Sequence, residues 1–318
     1  MGGSQSYSVT AVTQWYLEGS KLYGKKGKLY CNNFVCYLVL TIFIGCPSGG
    51  MCLFVLICVG FQTASVNFNA SDLASMRGKV VAITGANKGI GFAAARQLIG
   101  LDAEVHLLCR DLTRAEEAKT KLLASPTSSA TSSSTKKIFC HELDVSNFGN
   151  IRNFAQSFTK ECPKLDVLIN NAGCMPTTRT LTAEGNESIM ATALGGTMLL
   201  TSLLIPILKK AEHPRVINVS SGGGYTVRAM IDDLNSLQMS KYDGTLIYAF
   251  AKRNQIELTE KWSTSLGPDS KIWIGSMHPG WSDTEGLQEA MSDFHGKNKG
   301  TLRSAAEGIL CYHRCRFY

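Results

Sequence analysis

Tyr248 and Lys252 stand four residues apart in Tyr248-Ala249-Phe250-Ala251-Lys252, a spacing that puts a phenol and an ammonium on one face of a helix. A free tyrosine has a pKa of about 10, and a neighbouring cation that stabilises the phenolate lowers it. The pair is suited to passing a proton to or from an oxygen on a substrate. The spacing alone is common, because a surface aromatic beside a solvated lysine also produces it. Ser221 adds a second polar group. It ends the run Val216-Ile217-Asn218-Val219-Ser220-Ser221 just before Gly222-Gly223-Gly224, where its hydroxyl can orient a substrate oxygen toward Tyr248. Ser220 reads instead as an in-sheet hydroxyl with a backbone partner. His278, beside Pro279-Gly280, reads as a loop or core histidine in preference to an acid/base group.

A second constellation lies upstream. Thr84-Gly85-Ala86-Asn87-Lys88-Gly89-Ile90-Gly91 follows a β-branched run and opens an amphipathic segment. Glycines permit a tight turn and close approach of a pyrophosphate, and a helix N-terminus offers that anion unpaired N–H donors. Gly85, Asn87, Lys88, Gly89, Ile90 and Gly91 are the expected cofactor contacts of this turn. Two signals compete for the ribose beyond it. Arg110, with Lys88, can pair a 2′-phosphate, whereas Asp111 can bind a free ribose diol. The strand end that is normally acidic in NAD enzymes holds Cys109, so the charge balance favours NADP.

Asp144 is expected either to reach the adenine ring or to cap a helix beginning near Ser146. Asn171, Ala172 and Gly173 of Asn170-Asn171-Ala172-Gly173 end a strand with small residues that permit close approach near the adenine ribose. Pro279 and Gly280 lead into Trp281-Ser282-Asp283-Thr284, where Thr284 can hydrogen-bond a nicotinamide carboxamide.

The elements that must position these groups follow from periodicity. From Gly78 onward, short β-branched runs alternate with helical segments, the pattern of an α/β domain with a parallel sheet covered on both faces. The strands are expected at Val80–Thr84, Glu104–Cys109, Lys137–Leu143, Asp166–Asn170, Arg215–Ser220 and Lys271–Met277. Ser125 to Thr135 is a polar low-complexity loop with no catalytic role.

The chain has 318 residues, 44% hydrophobic and 18% charged, enough for one large domain, residues 78–318, and an extension, residues 1–77. Its net charge of +7 is spread without basic blocks, which argues for a solvated surface and against nucleic acid as a partner. The 11 cysteines lack zinc-type spacing, and the Cys311/Cys315 pair offers too few ligands, so no metal site is expected.

In the extension, apolar segments 34–46 and 51–61 flank Pro47-Ser48-Gly49-Gly50. A bilayer span needs roughly 20 apolar residues, so neither is sufficient alone. They fit one broken or tilted transmembrane helix, a shallow hairpin in one leaflet, or a buried soluble element. A single span preceded by Lys25, Lys26 and Lys28 favours a cytosolic N-terminus with the catalytic domain across the membrane, whereas a hairpin keeps that domain cytoplasmic. A signal peptide fits less well, since the apolar region begins too far from Met1. Membrane contact through 34–61 is thus one expectation, and a cytoplasmic location the other.

With TGANKGIG, NNAG, the VSS serine, YAFAK and HPGWSDT in order, the chain resembles the short-chain dehydrogenase/reductase family from about Gly78 to Ser304. Further likeness to one subgroup lies in CRD, INNAGCM, VSSGGG and SMHPGWSDT. The resemblance implies a Rossmann-like, doubly wound parallel sheet, with Ser221, Tyr248 and Lys252 catalytic and Lys252 also holding the nicotinamide ribose. It implies NADP-dependent interconversion of a carbonyl and an alcohol on a small apolar substrate, such as a lipid, retinoid or steroid. Two departures stand out. Thr192 occupies the position at which many members carry an asparagine that supports a water-linked proton path. After Gly308 the family continues through a helix and a final strand, which this sequence lacks, predicting an exposed sheet edge. These departures keep open a second reading, a catalytically impaired, membrane-associated nucleotide-binding protein or splice variant.

Overall fold

The computed structural model describes residues 28–31, 34–37, 75–125, 136–267 and 270–313, with the backbone alone for 28–31, 34–37 and 310–313. The chain divides into two units, Met1–Phe68 and Asn69–Tyr318. In the first, β1 (Lys28–Cys31) pairs antiparallel with β2 (Phe34–Tyr37), Lys28 opposite Tyr37 and Cys31 opposite Phe34. The apolar segment 34–46 therefore begins as a strand and not as a helical span. Its aromatic and β-branched content, Phe34-Val35-Cys36-Tyr37, suits a pleated ladder. The rest of that segment, and 51–61, lie outside the described residues.

The second unit is built on a six-stranded parallel sheet in the order β5-β4-β3-β6-β7-β8. The strands are β3 (Val80–Thr84), β4 (Glu104–Cys109), β5 (Ile138–Glu142), β6 (Val167–Asn170), β7 (Arg215–Val219) and β8 (Trp273–Met277). All six predicted strands are present, with ends trimmed by one or two residues where the ladder gives way to turns. Chain order reverses between β3 and β6, the place where α/β sheets open a crevice at the strand C-termini. Alternation along β3 explains the two-sided core. Val81 and Ile83 join one apolar cluster with α1 (Gly89–Gly100) and α2 (Leu112–Ala124), while Val80 and Ala82 join another with α3 (Phe148–Glu161) and α5 (Thr197–Leu208).

Between β6 and α5 the chain forms a single turn, α4 (Ser188–Met190), and a π-helical segment, Ala191–Gly196. Together Ser188–Leu208 is long and apolar enough to cross a membrane, yet 56% of its most apolar stretch is buried inside the domain, as a core helix requires. Beyond β7 come a 3₁₀ turn (Gly222–Tyr225), the long α6 (Gly244–Ser265), β9 (Ser282–Asp283), α7 (Glu285–Ala290), α8 (Ser292–Asn298), β10 (Arg303–Ser304) and α9 (Ala305–His313). β9 and β10 form a short parallel pair of their own. Among the described residues no strand pairs with the outer edge of β8. The Trp273 ring folds over Gly275 and covers part of that strand.

Helix starts follow side-chain caps. Asp243 accepts from the N–H groups of Thr245 and Leu246 and begins α6, and Asp111 accepts from Arg114 N and begins α2. The helix expected near Ser146 begins instead at Phe148, with Asn147 as its cap. Asp144 is not that cap: its Oδ1 accepts from both the N–H (2.8 Å) and the hydroxyl (2.7 Å) of Ser146. This local turn delays the helix by two residues.

Candidate active site

The glycine turn is fixed from the far side by the NNAG segment. Gly85 and Gly89 take positive φ values of 64° and 58°, open to glycine without cost. Asn171 Nδ2 donates to Thr84 O (2.9 Å) and Gly85 O (3.2 Å), and the Thr84 hydroxyl accepts from the N–H groups of Asn171 and Ala172 (both 2.9 Å). Gly91 fits inside this lock: a Cβ there would stand 2.5 Å from Gly85 O and 2.6 Å from Asn171 Nδ2. The Asn171 amide thus serves the turn. Thr84, the first residue of the turn motif, has no role of its own in the sequence reading, although its place at the end of β3 is the signal that marks it. Ile90 packs against the α1/α2 side of the core, and Gly280, at φ 79°, lies over the side chain of buried Arg303.

The residues expected near the ribose part ways in the structure. Arg110 is exposed and forms no hydrogen bond or ion pair among the described residues. Asp111 is committed to capping α2 and to an ion pair with Arg114 Nε at 3.3 Å. Lys88 is drawn to α7, its ammonium 2.9 Å from Glu289 and 3.6 Å from Glu285. Those carboxylates lie about 200 residues along the chain, so no local sequence pattern reveals them. Thr284 caps α7 through Leu287 N (3.2 Å), and its Cβ and methyl lie 3.5 Å from where a Gly89 Cβ would be, so the structure brings it to the turn. The buried Cys109 sulfur accepts from the backbone N–H groups of Ala86 and Asn87, and burial pushes its thiol up to about 11. Asp144 lies partly buried just after β5, at the C-terminal end of the sheet.

Ser221, Tyr248 and Lys252 converge where β7 ends against α6. The Ser221 hydroxyl accepts from Gly223 N at 3.2 Å and forms a hydrogen bond with Tyr248. Lys252, 2% exposed, donates to Val219 O (2.6 Å) and Gln255 Oε1 (3.3 Å), and its ammonium stands 5.5 Å from the centre of the Tyr248 ring. The position a Gly173 Cβ would take is 3.9 Å from that ammonium, which places NNAG, like Pro279-Gly280, at the same end of the sheet. The expected lowering of the tyrosine pKa is not found. Burial, with a further contribution from Cys174, pushes Tyr248 up to about 12, outweighing the Ser221 hydrogen bond. The lysine charge sits beside the ring and is spent on a carbonyl and an amide. Burial in turn pushes Lys252 down to about 8, offset in part by Cys174. Tyr248 is thereby protonated at neutral pH.

Ser220 donates to Lys252 O at 2.9 Å, the structural role expected of it. His278 sits after β8 against Gly222, and burial, then Arg303 and Lys252, push it down to about 4, so it is neutral at physiological pH. Thr192 lies in the π-helical segment, where its hydroxyl donates to Ser188 O at 2.8 Å and accepts from Cys174 Sγ at 3.6 Å. Next to the start of α6, a cavity of about 490 Å³ is lined by Met175, Pro176, Met239, Tyr242, Leu246 and Ala290 among others. Tyr242 donates to buried Glu187 at 2.9 Å, and Glu187 also accepts from Ile189 and Met190 N–H, so one carboxylate ties the wall of this cavity to α4.

Residues 79–233 match the family model described as short chain dehydrogenase. The chain is 41% identical over 250 residues to human dehydrogenase/reductase SDR family member 12, covering 78% of this chain and 75% of that protein. It is 35% identical over 212 residues to mouse retinol dehydrogenase 14, covering 66% and 63%. The fold is similar to the crystal structure of an uncharacterized protein from Mycobacterium paratuberculosis, with a TM-score of 0.60 and 28% identity over 77% of this chain and 80% of that one.

Proposed function

We propose that this chain, which belongs to the short-chain dehydrogenase/reductase family of nicotinamide-dependent oxidoreductases, is an NADP-dependent enzyme that interconverts a carbonyl and an alcohol on a small apolar substrate. The observation that carries the reaction is the convergence of Ser221, Tyr248 and Lys252 at the end of β7. When bound, the nicotinamide supplies or accepts the hydride. Ser221 orients the substrate oxygen, and Tyr248, protonated at neutral pH, donates its proton to that oxygen during reduction. Lys252 offers its remaining proton to the nicotinamide ribose. Residues 78–318 carry this chemistry, and residues 1–77 are an extension.

The cofactor choice rests on Arg110. Its guanidinium is exposed and unpaired among the described residues, whereas Asp111, the group that would favour a free ribose, is spent on Arg114. Lys88 contributes by leaving Glu285 and Glu289 for the phosphate, at the expense of two exposed ion pairs that are worth little in water. The turn residues Gly85, Asn87, Gly89, Ile90 and Gly91 meet the pyrophosphate, Asp144 and Asn171-Ala172-Gly173 border the adenosine, and Pro279, Gly280 and Thr284 border the nicotinamide. The cavity beside Tyr242 and Leu246 has a mixed lining, with Met175, Met239 and Leu246 beside Lys241 and Asp243; its apolar part and the retinol dehydrogenase among the relatives support a retinoid-like or other lipid carbonyl as substrate. Arg110→Ala should weaken NADPH binding by about ten- to a hundredfold, the loss of one charge-assisted contact, and leave NADH binding nearly unchanged. Fluorescence titration with both nucleotides reads this directly, and equal losses would remove the phosphate role.

A further inference from the structure

Lys252 is a buried cation, and its partners must come from the protein interior. On its own helix, three residues along, Gln255 is fully buried and faces it: Gln255 Oε1 accepts from the ammonium at 3.3 Å. The other end of the same amide, Nε2, donates to Ala193 O at 3.0 Å. That carbonyl belongs to the π-helical segment Ala191–Gly196, which holds Thr192. Thr192 takes no part in the lysine's network, since its hydroxyl donates to Ser188 O and accepts from Cys174.

The turn that carries Gln255 is itself fixed. Thr259 donates to Gln255 O at 2.6 Å and accepts from Asn218 Nδ2 at 2.9 Å, and Asn218 Oδ1 accepts from Asn170 Nδ2 at 2.8 Å. Asn170 Nδ2 also donates to Thr201 at 3.0 Å. All these side chains are buried, so a ladder of amides and hydroxyls ties β6, β7, α5 and α6 together one turn beyond the lysine. Among the described residues, Asn170 Oδ1 alone in this ladder lacks a hydrogen-bond partner; the remaining bonds hold the turn of Gln255, and their geometry passes to the lysine it meets.

We propose that Gln255 is a positioning residue that clamps the Lys252 ammonium to the π-helical segment, filling with a protein amide the place at which the family resemblance expects an asparagine-supported path. The proposal rests on the catalytic reading of Tyr248 and Lys252. Gln255 accepts a stronger, charge-assisted bond from the ammonium than from a neutral amine, so the clamp favours the ammonium. The titratable groups that face Lys252 are Cys174 from the turn after β6, Tyr248 on its own helix and His278 after β8. None of them brings a negative charge at neutral pH, so the Gln255 acceptor matters to the ammonium.

Two nearly isosteric variants test the clamp in the full-length protein. Gln255→Met removes both hydrogen bonds and keeps the buried length, while Gln255→Glu keeps the shape and adds an acceptor charge. The Cε resonance of Lys252 in isotopically labelled protein reports its protonation without cofactor or substrate. The wild type should titrate near pH 8. Gln255→Met should titrate about one unit lower, the loss of one hydrogen bond to a charged group, and Gln255→Glu about one unit higher. The alkaline limb for NADPH-dependent reduction of all-trans-retinal should move in the same two directions. Unmoved midpoints, or midpoints that move together in both variants, would overturn the proposal. A wild type that titrates as stated but never oxidises NADPH would count against the functional reading and leave the clamp standing.

Discussion

On the cofactor side of the sheet, Val80–Thr84 is buried along its whole length, and the turn after it is held by four hydrogen bonds between Thr84, Gly85 and the NNAG segment. Beyond β7 the chain runs through a 3₁₀ turn and an irregular stretch before α6, in which Tyr225, Ile231 and Leu237 face solvent. The contrast separates two demands on one fold. A dinucleotide is the same molecule in every turnover, so its turn can be set in a packed core with no tolerance for an extra methyl group. Under the proposed function, a substrate that varies is better met by a wall of turns joined at a few polar anchors, such as Tyr242 on Glu187.

The strongest way to break this comparison is to disturb the packed side by one carbon. Gly91→Ala drives a methyl group into Gly85 O and Asn171 Nδ2. It should cost about 1–3 kcal/mol of stability and abolish measurable NADPH binding, as read by thermal melting and fluorescence titration. An alanine variant that binds normally would mean that the turn is as pliable as the opposite wall.

A smaller effect sharpens the same contrast through pH. His141 on β5 is hydrogen-bonded to His106 on β4 at 2.9 Å, and burial, then His106, push His141 down to about 4; burial also lowers His106. In the unfolded chain both titrate near 6.5, the ordinary value. Between pH 6.5 and about 4 the unfolded chain binds more protons than the folded one, so stability is full above this window and falls as pH drops through it. Melting temperature measured from pH 7 to 4 should decline, and His141→Gln should flatten that decline. An unchanged slope in the variant would place the acid sensitivity elsewhere, with His278 as the next group.

The parts of the molecule governed by local pattern were legible in the sequence. β-branched runs set off by turns fixed all six strands of the sheet, and the glycine spacing placed the turn between β3 and α1. The family resemblance carried the roles of Ser221, Tyr248 and Lys252, which the fold brings together. What was not legible depends on partners distant in sequence. Lys88 meets Glu285 and Glu289 only because α7 folds back to the turn, and Asp111 is taken up as the cap of α2. The Tyr248 shift ran opposite to expectation because burial is a property of the whole core, while the lysine that should lower it is occupied by Val219 O and Gln255. Gln255 stands one helical turn after Lys252, yet its second partner, Ala193 O, comes from the distant π-helical segment.

The central claim is that this chain binds NADPH on its glycine turn and reduces an apolar carbonyl with Tyr248 as the proton donor. The direct measurement is NADPH oxidation by the purified full-length protein with all-trans-retinal, set beside Tyr248→Phe, with nucleotide binding followed in both. Turnover in the wild type, a loss of about a hundred- to ten-thousandfold in Tyr248→Phe, and equal NADPH affinity in the two are the predicted results. Equal turnover in the two proteins, or NADPH binding by neither, would contradict it.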